Sequence, residues 1–144
     1  MLVKEIMKRI PDLVCCLPTA YVMDAAKKME DNNIGCILIT DNNILKGILT
    51  DRDITLLVVA DGRDPRKVQV REIMKTDIIT GKPDWDLFEA TKLMADKKIR
   101  RLPIQTNGKL EGFVSLADLA PVVKKELDSF LEIETASIKH KKKP

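Results

Sequence analysis

Gly47-Ile48-Leu49-Thr50-Asp51-Arg52-Asp53 and Gly112-Phe113-Val114-Ser115-Leu116-Ala117-Asp118 are two versions of one pattern: glycine, two apolar residues, a hydroxyl, two variable positions and an aspartate. They lie 65 residues apart, and the same offset runs through their surroundings. Pro18–Ala25 aligns with Pro83–Ala90, and Lys27, Met29, Asp31, Ile34 and Ile39 meet Lys92, Met94, Asp96, Ile99 and Ile104. Glu5-Ile6-Met7 meets Glu72-Ile73-Met74 at an offset of 67, so the first copy carries two extra residues around 8–11. A fixed period of this kind means two copies of one supersecondary unit rather than two different domains.

Each copy reads as β-α-β-β-α. Leu13–Cys16 and Ile78–Thr80 are short extended runs before a proline, and Thr19 and Asp84 suit helix N-caps. Val22, Ala25, Ala26 and Met29 follow at helical spacing, as do Leu87, Ala90 and Met94. Cys36–Ile39 and Leu102–Ile104 read as strands. The turn signals Asp41-Asn42-Asn43 and Asn107-Gly108 join them to Ile44–Leu49 and Leu110–Val114, giving two hairpins. Thr50 and Ser115 then open new helices, the first ending at Asp61-Gly62, where glycine suits the position after a C-cap. A unit of about 60 residues is marginal alone, and an identical neighbour is the simplest cover for its sheet. The expected fold is therefore α/β of the α+β kind, with two pseudo-symmetric units packed through their sheets. In sequence order the first unit spans 1–64 and the second 65–122, with 61–70 as the connection. Pro121 is read as opening a last amphipathic helix, with Val123, Leu127, Phe130 and Leu131 on one face and an extent of 123–134. Residues 135–144 read as a basic tail, frayed or disordered.

Composition narrows the function. Of 25 lysines and arginines, Lys139, Lys141, Lys142 and Lys143 crowd the last residues, so 1–138 carries about −1 against the formal +3 of the whole. A near-neutral body is poor ground for a broad nucleic-acid surface, and contact of the lysine tail with nucleic acid or membrane is not expected to be its role. No apolar run reaches the roughly 18 residues of a membrane helix, and Met1–Glu5 lacks a signal-peptide core, so a cytoplasmic protein is expected. Cys15, Cys16 and Cys36 form neither a disulfide framework nor a zinc pattern; they read as small buried hydrophobes. The one histidine, His140, lies in the tail, which removes Ser-His-Asp and Cys-His catalysis. There is no G-x-x-x-x-G-K-[ST] loop and no G-x-G-x-x-G turn. No enzyme activity and no metal are expected.

The repeated heptapeptides, together with Ile99-Arg100-Arg101-Leu102-Pro103-Ile104 and the leading Glu-Ile-Met, resemble a tandem pair of CBS domains, the cystathionine-β-synthase module, over roughly residues 3–120. The resemblance implies clefts between the repeats that bind AMP, ADP, ATP or S-adenosylmethionine, frequent homodimerisation, and a regulatory, energy-sensing role. With nothing else attached to the pair, a freestanding module would act on an unknown partner in trans. No cofactor is then required, and an adenine nucleotide is the regulatory ligand. The alternative is a protein–protein or anionic-polymer adaptor with vestigial clefts.

The motif itself suits such a ligand. A hydroxyl at a helix start, as at Thr50 or Ser115, sits among free backbone N–H groups that suit a phosphate. One turn later, Asp53 or Asp118 can accept hydrogen bonds from both ribose hydroxyls. A plain N-cap with a first-turn acid would look the same. By resemblance the purine walls are strand positions. The second-repeat set becomes Thr80, Gly81, Arg100, Arg101, Leu102, Pro103, Ser115 and Asp118. The first-repeat set becomes Cys16, Ile37, Leu38, Thr50, Arg52 and Asp53. The offset places Gly35 and Cys36 opposite Arg100 and Arg101, so the cleft holding Thr80, Arg101, Ser115 and Asp118 is expected to be the tighter one for phosphates.

Overall fold

The hairpins form where the asparagines dictate. The computed structural model describes residues 1–142. In it, Asn42 and Asn43 (φ 49° and 67°) and Asn107 and Gly108 (φ 52° and 83°) take the left-handed conformation at both loop positions, as a two-residue hairpin turn requires. The first turn joins β3 (Cys36–Asp41) to β4 (Ile44–Thr50) and the second joins β5 (Arg101–Thr106) to β6 (Lys109–Ser115). Before each hairpin runs an eleven-residue helix, α1 (Val22–Asn32) or α3 (Leu87–Lys97). After β4 come α2 (Asp51–Ile54) and a π-helical turn, Thr55–Val59; after β6 comes α4 (Leu116–Lys142).

The helix starts differ from expectation. Thr19 and Asp84 are not caps; the N-caps are Tyr21 and Asp86, and only Asp86 uses its side chain, accepting from Phe88 N–H at 2.9 Å. The prolines explain the shift. Leu17-Pro18-Thr19-Ala20 and Lys82-Pro83-Asp84-Trp85 each close a four-residue turn, with the fourth N–H bonded to the first carbonyl. Proline suits the second position of such a turn, which delays the helix by two residues. Of the expected first strands, Leu13–Cys16 shortens to β2 (Cys15–Cys16), parallel to β3, and Ile78–Thr80 reduces to a single bridge from Gly81 to Ile104.

The repeats meet through their sheets. Ile44 of β4 pairs antiparallel with its own equivalent, Lys109 of β6, and Leu45 and Leu110 donate to the carbonyls of Gly108 and Asn43. A pseudo-twofold axis passes through this pair and makes one six-stranded sheet. The segments leading into each repeat then cross over. Lys8 and Arg9, as β1, pair with Phe113 and Gly112 of the second hairpin, and Lys75 bridges Ile48 of the first. The cores follow the crossing. Val3 and Met7 pack with Leu87, Met94, Leu102 and Ile104, whereas Val68, Val70 and Ile73 pack with Val22, Met29, Ile37 and Leu49. Glu5 and Glu72 fix the crossing turns by accepting from the N–H of Leu2 and Gln69.

This crossing explains the glycine of the repeated motif. A Cβ on Gly112 would lie 2.9 Å from the Lys8 carbonyl oxygen and 2.8 Å from a methionine carbon of Met7; on Gly47 it would meet Met74 and, at 3.1 Å, the Lys75 carbonyl. The motif glycine and the Glu-Ile-Met segment are two halves of one contact.

The last helix also departs from expectation. It does not begin at Pro121: it starts at Leu116, directly after Ser115, and carries Pro121 inside it. Its extent runs past 134 to Lys142, and from Val122 onward it meets no glycine or proline. Leu119 and Val123 belong to the second core, so Val123 is not on the free face, whereas Leu127, Phe130, Leu131 and Ile133 are exposed. The side chains of the terminal lysines lie outside the described residues. Among the described residues no helix is long and apolar enough to cross a membrane.

Candidate functional site: two clefts at the junction of the repeats

Two clefts open where one repeat's strands face the other repeat's motif. The first, of about 450 Å³, has apolar walls from Leu13, Val14, Ile34, Leu38 and Phe113. Its polar groups are Lys8, Asn33, Arg101, Ser115 and Asp118, with Cys36 beside them. The second, of about 370 Å³, is lined by Ile48, Thr50, Lys75, Asp77, Ile78, Ile79, Pro103, Lys98, Arg100 and Arg101. Both volumes are within the range of small-ligand sites.

The expected grouping of Thr80, Arg101, Ser115 and Asp118 in one second-repeat cleft is therefore corrected. Pairing about the pseudo-twofold axis turns the end of each hairpin toward the partner repeat. Ser115 and Asp118 thus face first-repeat strand positions, and Thr50 faces second-repeat ones. Thr80 lines neither cleft; its hydroxyl accepts from Gln105 Nε2 at 2.9 Å. Gly81 lies under Leu102, Ile104 and Trp85, where a Cβ would come within 2.9 Å of Leu102. Ile37 and Leu102 are core residues. Cys16 lines a separate groove between α1 and β2, where Lys28 Nζ donates to the Cys15 carbonyl at 2.9 Å. Arg52 is exposed and lines neither cleft. The residues brought to the clefts are Leu38, Arg101, Ser115 and Asp118 on one side, and Thr50, Arg100, Arg101 and Pro103 on the other.

The two aspartates of the motif are in different states. Asp53 is only 6% exposed. Its Oδ2 accepts from Thr50 N–H at 3.0 Å, its own N–H donates to Thr50 Oγ1 at 3.1 Å, and its Oδ1 lies 3.3 Å from Lys75 Nζ. This is a reciprocal capping box with an ion pair on its outer oxygen. Asp118 is exposed; its N–H donates to Ser115 Oγ at 3.2 Å, and among the described residues its carboxylate has no hydrogen-bond or ion-pair partner. One carboxylate is committed to the fold and the other faces the cleft unpartnered among the described residues.

Cys36 contributes no charge at neutral pH. Burial pushes its thiol up to about 11; the nearby Arg101 charge pulls the other way, and Asp53 and Asp51 add to the rise. Lys8 and Lys75 were missed in the sequence reading. The signal was present, because Glu5-Ile6-Met7-Lys8 and Glu72-Ile73-Met74-Lys75 match over four residues rather than three.

A family model for the CBS domain matches residues 3–60 and again 70–125. The chain belongs to the CBS domain family. It carries the domain as a tandem pair. It is 44% identical over 103 residues to the CBS domain-containing protein YhcV of Bacillus subtilis, covering 72% of this chain and 73% of that protein. The fold matches a protein with CBS domains from Burkholderia ambifaria, with a TM-score of 0.74, 32% identity, and coverage of 85% of this chain and 93% of that one. It also matches the CBS domain pair of MJ0100, solved with 5′-methylthioadenosine and S-adenosyl-L-methionine, with a TM-score of 0.75 at 25% identity over 88% of this chain and 98% of that one.

Proposed function

We propose that this CBS pair is a non-catalytic regulatory module that binds an adenosine-containing ligand in the Ser115–Asp118 cleft and acts on a partner protein in trans. One observation carries the reading. A single cleft holds an unpartnered carboxylate, a hydroxyl at the start of a 27-residue helix, two cations and an apolar wall. Asp118 suits the ribose hydroxyls, and Ser115, Arg101 and Lys8 suit a phosphate or carboxylate. The ligands of the MJ0100 pair are of this chemical class. AMP, ADP, ATP and S-adenosylmethionine are the candidates, acting as regulatory ligands with no other cofactor required. A cytoplasmic location belongs to the same proposal.

Mass spectrometry of small molecules carried through purification, followed by calorimetry with the four candidates, tests the reading. Asp118→Ala is expected to weaken binding by about 1.5–3 kcal/mol, the range for hydrogen bonds to a charged group. Absence of binding and of any thermal shift with all four would favour an adaptor with vestigial clefts. The exposed apolar residues Leu127, Phe130, Leu131 and Ile133 on α4 favour self-association as part of the same proposal. A monomer by light scattering at tens of micromolar, a concentration of the order typical of weak interfaces, would remove that part.

A further inference from the structure

Of all the residues lining the two clefts, Arg101 is the one that lines both. Its place in the sheet explains why. Arg101 opens β5 directly opposite Ser115, and its equivalent by the 65-residue offset, Cys36, opens β3 directly opposite Thr50. Positions 36 and 101 are equivalents that line the same cleft, and only one of them carries a guanidinium. Among the described residues Arg101 is in no ion pair, so its charge is uncommitted. The Cys36 thiol stays protonated and supplies no second anion-binding group.

We infer that Arg101 serves the two clefts by turns, so that a phosphorylated nucleotide in one cleft withdraws the guanidinium from the other. A guanidinium–phosphate contact is charge-assisted and directional, and one planar fork cannot satisfy two phosphates on opposite sides at full strength. The pair then takes its first phosphorylated ligand tightly and its second weakly, through a shared donor and without a change of fold. The inference rests on the proposed adenosine-type site and adds the relation between the two clefts.

Calorimetry with AMP separates this from two clefts that merely differ. In the wild type, the second binding event is expected to be about 10- to 100-fold weaker than the first, the factor that follows from losing a charged hydrogen bond. Filling the Asp118 cleft with Ala117→Trp, at an exposed position, should leave one event about tenfold or more tighter than the wild-type second event, because the remaining cleft now keeps Arg101. Asp118→Ala, which weakens the same cleft by another route, should shift the remaining event in the same direction. Adding Arg101→Ala to Ala117→Trp should abolish the gain. A remaining cleft that binds AMP only as weakly as the wild-type second event overturns the inference, as do two equal AMP sites in the wild type. Binding of adenosine or S-adenosylmethionine without AMP overturns the inference alone. Absence of binding by all of these ligands overturns the proposed function and the inference together.

Discussion

Asp53 and Asp118 stand at the same position of the same motif, and one has become part of the fold while the other faces a cleft. The difference comes from neighbours outside the motif. Asp53 is covered on the way to the π-helical turn and meets Lys75; Asp118 lies in the exposed first turn of α4, and Lys8, the counterpart of Lys75, is not bonded to it. A shared sequence pattern therefore takes two states, a buried cap and an open carboxylate, and the surroundings choose between them.

The largest expected effect comes from removing the committed carboxylate. Asp53→Ala should lower the unfolding free energy by about 2–3 kcal/mol, through loss of a buried cap and its charged hydrogen bond, read from urea titrations. Asp118→Ala should cost less than about 0.5 kcal/mol of stability, as for an exposed substitution away from structural features. Equal costs would erase the distinction between the two repeats.

The glycines give the next effect. At both glycines an added Cβ first meets a methionine side chain that can move, Met7 or Met74, but the backbone carbonyl behind it is closer at Gly112 (2.9 Å to Lys8) than at Gly47 (3.1 Å to Lys75). Gly112→Ala should therefore cost about 1–3 kcal/mol and Gly47→Ala less, in paired thermal melts. The reverse order would show that the second crossing segment is the more rigid of the two.

Smaller again is Lys75→Met. Its side chain is 63% exposed although its partner is buried, so the pair behaves as a screened surface ion pair and its loss should cost under about 1 kcal/mol. A larger loss would make Lys75, rather than the cap, the reason Asp53 is held. The smallest effect is chemical. With the Cys36 thiol pushed up to about 11 by burial, only about 1% of it is thiolate at pH 9, so alkylation by iodoacetamide there should be tens of times slower than for an exposed cysteine. Arg101→Ala removes the charge that opposes the rise and should slow it further.

The repeat, the hairpins and the family were legible because they are local or periodic. Asn42-Asn43 and Asn107-Gly108 announce their turns, and Thr50 and Ser115 announce their helices. What could not be read was which repeat each residue would serve. Thr80 and Asp118 look like neighbours in one copy, but the pairing of Ile44 with Lys109 sends Ser115 and Asp118 to the other side. The fate of Asp53 was hidden for a related reason. Its partner Lys75 lies 22 positions away, in a segment whose crossing is set by two cores forming together. Thr19 and Asp84 misled about the helix starts, since a hydroxyl or carboxylate after proline serves a turn as well as an N-cap.

The crossing of the leading segments has a consequence for how this chain can be divided. Cutting the connection near Gly62–Pro65 would not release two independent bodies, since each fragment would still hold a wedge of the other: Val3 and Met7 on one side, Val70 and Ile73 on the other. A nicked protein should remain one particle until denatured. A gene encoding a single copy would have to find its missing wedge on a second molecule, by reciprocal exchange. In this light the tandem chain is arranged as a domain-swapped dimer would be, with its two halves on one polypeptide.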